Sequence, residues 1–158
     1  MRRKDRAVTD EAAIRDILER AKVLHLALNA EGAPYVVPLH YGYRLEGGAL
    51  TLYVHCAKEG RKLELLRRDP RVFVEIDLPG PLIPGAAACS WGAAFESVMC
   101  RARGSVVEDA AEKAAALALL MKTQTGRDFA IDEKAAAAVT VVRLDAEDIS
   151  AKARRLPG

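Results

Sequence analysis

The sequence predicts a small antiparallel β-barrel with helices packed on its outside. Successive short segments alternate apolar and polar residues with period two, and tight turns join the first of them as hairpins. No regular repeat of strand and helix runs along the chain, which disfavours a Rossmann-type parallel sheet. Val36-Val37 and Val72-Phe73-Val74 make some segments apolar on both faces. One face fills a barrel, and the other calls for a helix or a second copy of the chain, which predicts a homodimer.

Thr9 or Asp10 caps a first helix through Arg20, because Ile14, Ile17, Leu18 and Ala21 recur at helical spacing. The period then changes. Val23 to Leu28 reads as a strand, Asn29-Ala30-Glu31-Gly32 as a hairpin turn, and Tyr35 to Tyr43 as a second strand. After a turn at Glu46-Gly47-Gly48, a third strand places Leu50, Leu52, Val54 and Cys56 on one face and Tyr53 and His55 on the other. Glu59 to Arg68 forms a helix that ends before Asp69-Pro70, since the residue preceding a proline is pushed out of the helical region. A fourth strand covers Arg71 to Leu78, and the prolines and glycines from Pro79 to Gly85 predict a stiff loop reaching Trp91. Phe95 to Val107 is a fifth strand, and an alanine-rich helix from about Ala110 to Lys122 buries Leu117, Leu120 and Met121. Lys134 to Ala138 is a helical turn, Val139 to Leu144 the last strand, and Ile149 to Arg154 a tail.

The chain of 158 residues is read as one domain, with residues 1–8 as an N-terminal extension. A formal net charge of +2 argues against a nucleic-acid binder that works by bulk electrostatics. The apolar runs Ala86–Cys89 and Ala114–Met121 are too short to span a membrane. The basic start, Met1 to Arg6, leads into a charged helical pattern, unlike the apolar stretch of a signal peptide. Cys56, Cys89 and Cys100 are an odd count with no CxxC pair, which argues against a disulfide scaffold or zinc knuckle and places the chain in a reducing cytoplasm.

The most informative segment runs from Tyr53 to Lys62. A strand ends, the chain turns at Gly60, and Arg61 and Lys62 then open a helix. Cations belong at helix C-termini, as Arg67 and Arg68 do, so this pair opposes the helix dipole by about a few tenths of a kcal/mol each. A bound phosphate reverses that sign, with a bidentate fork from arginine and a point charge from lysine. A solvated face neutralised by Glu59 and Glu64 fits the same pattern. His25, His40 and His55 fall near three successive strands, but nothing in their spacing forces a metal triad, and no metal is predicted. His40 and His55 are the better pocket candidates; His25 reads as a hydrogen-bonded strand residue. Pro38 interrupts a strand ladder and marks a bulge or an edge. Trp91 stacks on a flat ring or plugs the barrel, the plug being the commoner arrangement. Arg101 and Arg103 share a face of the fifth strand and read as solvated, or paired at the surface. Neither GxGxxG nor GxxxxGK[ST] occurs.

Three stretches together resemble a known family: Val36-Val37-Pro38-Leu39-His40-Tyr41-Gly42-Tyr43, then Leu52-Tyr53-Val54-His55-Cys56-Ala57-Lys58-Glu59-Gly60-Arg61-Lys62, then Asp69-Pro70-Arg71-Val72. Trp91 ahead of Glu96-Ser97-Val98, and Val107-Glu108-Asp109 before Glu112-Lys113, extend the match. The chain resembles the pyridoxamine 5'-phosphate oxidase-like FMN-binding split-barrel proteins, and within them the nitroimidazole-resistance (Nim-type) branch. That resemblance implies a mainly β chain with flanking helices, folded as a six-stranded antiparallel split barrel. It also implies a homodimer with FMN at the interface. Val37, Pro38, Leu39 and His40 would run beside the flavin ring and ribityl chain, and His55 and Cys56 would line the same site. Arg61 and Lys62 would hold the phosphate, and Ser97 with Trp91 would complete the site.

Ala102 and Ala151-Lys152 stand where the family often has glycine and Gly-Lys, and the residues that hold pyridoxamine phosphate in the true oxidases are not recognisable. The function this implies is a reductase of small aromatic or nitro compounds using NAD(P)H, with His55 as proton donor or substrate contact. The alternative is a non-catalytic flavin- or haem-binding module with His40 or His55 as an axial ligand.

Overall fold

Alternation along the strands decides what the barrel encloses. In a computed structural model, which describes residues 3–156, the strands are β1 (Ala7–Val8), β2 (Val23–Leu28), β3 (Tyr35–Glu46), β4 (Ala49–Cys56), β5 (Arg71–Ile83), β6 (Gly92–Val106), β7 (Thr140–Ala146) and β8 (Ser150–Arg154). The helices are α1 (Glu11–Arg20), α2 (Arg61–Arg68), α3 (Ala110–Thr125) and α4 (Glu133–Ala136). Met1 and Arg2 of the basic N-terminal run lie outside the described residues, as do Pro157 and Gly158.

Every pairing is antiparallel. The order β6-β5-β2-β3-β4-β7, with β7 pairing back onto β6, closes a ring of six strands. Leu24, Leu26 and Leu28 from β2 meet Leu52, Val54, Val72, Val74, Ile76 and Leu144 in one core. Ile14, Ile17 and Leu18 of α1 and Leu63, Leu65 and Leu66 of α2 join it. Asp10 caps α1 by accepting a 2.8 Å hydrogen bond from the Ala13 N–H, as the sequence pattern required.

Two parts of the sheet depart from the expectation. The Pro79-Gly80-Pro81 stretch is not a loop, because β5 continues through it to Ile83 with a register shift between Pro79 and Leu82. That stretch pairs with β6 alone, so the missing proline N–H groups can lie on a free side. The tail is also a strand. β6 is long enough to pair with β7 over Ala102–Val106 and with β8 over Phe95–Met99, and β1 then adds to β8.

Outside the ring, α3 lies directly on β3 at Gly42, where an added Cβ would sit 2.5 Å from the Leu120 amide nitrogen. Its buried residues are Ala114, Ala116 and Leu120, so small side chains carry more of the contact than the predicted leucine–methionine stripe.

The turn after α2 is tied by Asp69. Its carboxylate accepts from the Arg71 guanidinium at 2.8 and 2.9 Å, from the Arg71 backbone N–H at 3.0 Å and from Asn29 at 2.9 Å. These bonds, that to the Arg71 side chain foremost, hold the Asp69 carboxyl well below the usual carboxylate range. A depressed folded-state pKa contributes stability above the unfolded value of about 3.9, lost as pH falls through the folded one. Chemical denaturation at stepped pH below 4 should therefore show a shallower acid loss in Asp69→Asn than in the parent chain.

Candidate functional site

The ladder opens beside β3. β3 pairs with β4 only from Tyr41 onward, opposite Val54, and β4 ends at Cys56. From Tyr35 to His40, β3 is therefore paired with β2 on one side and with no strand on the other, among the described residues. Pro38 sits on this stretch, at the free edge that its missing donor suggests. Across the gap the chain passes through Gly60, whose φ of 138° suits glycine, and enters α2 at Arg61 and Lys62.

Strand alternation divides the predicted residues between two faces. Tyr35, Val37, Leu39 and Cys56 pack partly buried against the barrel core. Val36, Pro38, His40 and His55 face outward and are exposed. A flat ligand lying along the β3 edge can therefore meet apolar side chains from one face, imidazoles from the other, and unpaired backbone groups between them.

Arg61 and Lys62 have no carboxylate within ion-pair distance among the described residues; the expected partners Glu59 and Glu64 form no such pair. The Arg61 guanidinium carbon instead lies 5.1 Å from the centroid of the Tyr35 ring. Burial pushes the Cys56 thiol up, partly offset by Lys62, so at neutral pH it is a packed thiol and not a nucleophilic thiolate.

The three histidines do not converge. His25 Nδ1 lies 2.9 Å from a Glu75 carboxylate oxygen. His40 donates from Nδ1 to the Lys22 carbonyl at 2.9 Å, which leaves its Nε2 available. His55 opens onto a cavity of about 380 Å³ whose walls include Leu117, Leu120, Met121, Ile131 and Val139. Sequence reasoning missed both this cavity and the Tyr35 contact. The cavity walls come from α3 and the segment leading into α4, far along the chain from His55.

Ser97 and Trp91 are not brought to the same place within one chain. Ser97 is buried on β6, opposite Asp77 and Lys152, three strands round the ring from β3. Trp91 is 51% exposed, so it does not plug the barrel. The largest cavity, about 670 Å³, lies elsewhere, between α1, the β5 irregularity and β8. Its Arg20 and Arg155 are engaged by Glu96, and Arg20 also by Asp16.

A family model described as pyridoxamine 5'-phosphate oxidase matches residues 10–153. The chain belongs to the pyridoxamine 5'-phosphate oxidase family. Among solved structures, it is 31% identical to a Bacteroides thetaiotaomicron protein provisionally assigned to 5-nitroimidazole antibiotic resistance, with a TM-score of 0.78 over 93% of this chain and 86% of that one. That relative supports the Nim-type branch within the family. An FAD-binding protein from Mesorhizobium loti is 25% identical, with a TM-score of 0.66 over 95% of this chain and 98% of that one. The flavocytochrome Anf3 from Azotobacter vinelandii shares the fold, at 24% identity and a TM-score of 0.80 over 99% of this chain and 73% of that one. Among curated proteins, none matches the chain. The gap beside β3 sets two cations without an ion-pair partner among the described residues, Arg61 and Lys62, next to a free strand edge. None of the described helices is long and apolar enough to cross a membrane.

Proposed function

We propose that this chain is an FMN-dependent reductase of small aromatic or nitro compounds, acting as a homodimer in the cytoplasm. The observation that carries this reading is the Arg61–Lys62 pair, which starts a helix beside an open strand edge with no carboxylate partner. Two adjacent cations at the positive end of a helix dipole disfavour each other and the dipole unless an anion is present. A phosphate monoester supplies that anion, and the edge from Val37 to His40 offers a flat polar ring its hydrogen-bonding groups. The Bacteroides and Mesorhizobium relatives support the nitro-compound and flavin parts of the reading respectively.

FMN, when bound, supplies the redox chemistry. The protein's own groups do the rest. Arg61 and Lys62 fix the phosphate, and Val37 and Leu39 keep one side of the slot apolar. His55, at the mouth of the α3 cavity, places an imidazole that can act as proton donor or hydrogen-bond partner where an aromatic substrate would enter. Apart from His55 and Asp132 the cavity lining is apolar, and the Asp132 carboxylate further favours an uncharged ring over an anionic substrate. An external hydride donor such as NAD(P)H completes the cycle.

The dimer is supported by two exposures. Val36 is 54% and Phe73 43% exposed on the outward face of the two strands that flank β2, each opposite Ala27, an apolar patch suited to a second copy. Ser97 and Trp91, remote within one chain, would then be contributed to the site by the partner. A second reading, a haem-binding module, is favoured by His40, whose committed Nδ1 leaves Nε2 oriented as ligating histidines commonly are.

The absorption spectrum of the purified protein, followed by release of its ligand, separates the two. Flavin bands, FMN on release, and NAD(P)H-dependent loss of a nitroaromatic chromophore support the reductase. A Soret band, or a colourless protein that added FMN does not stabilise, contradicts it.

A further inference from the structure

We infer that Tyr35 is a positioning residue for phosphate recognition, holding Arg61 so that its N–H edge meets the anion. This rests on the reading above that a phosphate monoester sits at the start of α2. Arg61 is exposed, and a long exposed side chain ordinarily loses much rotamer freedom when it grips a ligand. A carboxylate partner could order it in advance, but would also cancel its charge and occupy its donors.

The chain uses an aromatic face instead. The guanidinium carbon lies 5.1 Å from the Tyr35 ring centroid, within cation–π range. Contact with a ring face engages the charge and leaves the guanidinium's edge N–H donors unspent. Tyr35 is well placed to act as a fixed support. It opens β3, is paired with Leu28 of β2, and packs partly buried against the core. It also begins the unpaired stretch along which the flat part of the ligand would lie. One side chain thus links the ring slot to the phosphate corner.

The test compares FMN with riboflavin, which has the same ring but no phosphate, by flavin fluorescence titration of the full chain. Parent, Tyr35→Phe, Tyr35→Leu, Arg61→Ala and the Tyr35→Leu, Arg61→Ala double variant are measured, with circular dichroism confirming the fold of each. Tyr35→Leu should weaken FMN about two- to five-fold, the size of one exposed cation–π contact, and leave riboflavin unchanged. Tyr35→Phe, which keeps the ring face, should match the parent, and Tyr35→Leu should cost nothing further once Arg61 is alanine. Equal weakening of FMN and riboflavin, or an undiminished effect in the Arg61→Ala background, overturns the inference, because Tyr35 would then be shaping the slot and not Arg61. If Arg61→Ala lowers the preference for FMN and Tyr35→Leu does not, the inference alone fails. If Arg61→Ala leaves that preference intact, the phosphate site itself is misplaced.

Discussion

An Arg61→Ala, Lys62→Ala double variant is expected to lose FMN during gel filtration while remaining folded. Each charge-assisted contact to a phosphate is worth about 1.5–3 kcal/mol, so removing both should weaken FMN by roughly 10²–10⁴-fold. Beyond the exposed contact of Arg61 with the Tyr35 ring, the fold has little stake in either side chain. α2 is held by Leu63, Leu65 and Leu66 in the core, and neither cation has an ion-pair partner among the described residues. Removing two cations from the wrong end of the helix dipole should even raise the stability of the ligand-free protein slightly. The parent at 100 times its dissociation constant should gain about 2.7 kcal/mol from FMN, and the variant at the same FMN concentration almost none. Thermal melts with and without FMN check both halves.

The second large effect belongs to Gly42→Val. A Cβ at this position would lie 2.5 Å from the Leu120 amide nitrogen and 2.6 Å from its Cα. Those are backbone atoms, so no rotamer change makes room and α3 itself must move. Overpacking of this kind costs about 1–3 kcal/mol, and the β-branched side chain sits at the upper end. The same shift displaces Leu117, Leu120 and Met121, three walls of the cavity beside His55. Urea denaturation should therefore show a lower midpoint. Steady-state kinetics should show a raised KM for an aromatic substrate with FMN affinity nearly unchanged, because the phosphate corner lies on α2 and not on α3. Equal losses of FMN and substrate affinity would mean that α3 supports the whole site.

The barrel was legible where local chemistry and tertiary demand agree. The Asp10 cap, the alternation of Leu24, Leu26 and Leu28, and the stop at Asp69-Pro70 each act within a few residues. Illegible parts depended on partners distant in sequence. Pro79 and Pro81 signal a loop unless one knows that β2 no longer flanks β5 there. Ser150–Arg154 shows no apolar alternation strong enough to announce a strand, and it exists because β6 outruns β7.

The site divides in the same way. Arg61 and Lys62 stand out because they are cations at the wrong helix end, a one-dimensional signal. Tyr35 looks like any strand aromatic until the fold brings Arg61, at the start of α2, against its ring. His55 could be singled out as an imidazole at a strand end, but the cavity beside it is built from α3 and the chain around α4. Ser97 came only from the family resemblance, Trp91 also from its place after a Gly/Pro-rich stretch, and within one chain both stand apart from the open β3 edge.

The central claim is that the corner between the β3 edge and the first turn of α2 receives a flavin's phosphate. A crystal structure of the protein with FMN tests it most directly. The account predicts phosphate oxygens within hydrogen-bonding distance of both Arg61 and Lys62, with the ring system alongside Val37 to His40. A phosphate bound at the Arg20–Arg155 cavity instead, with Arg61 and Lys62 turned into solvent, would contradict it.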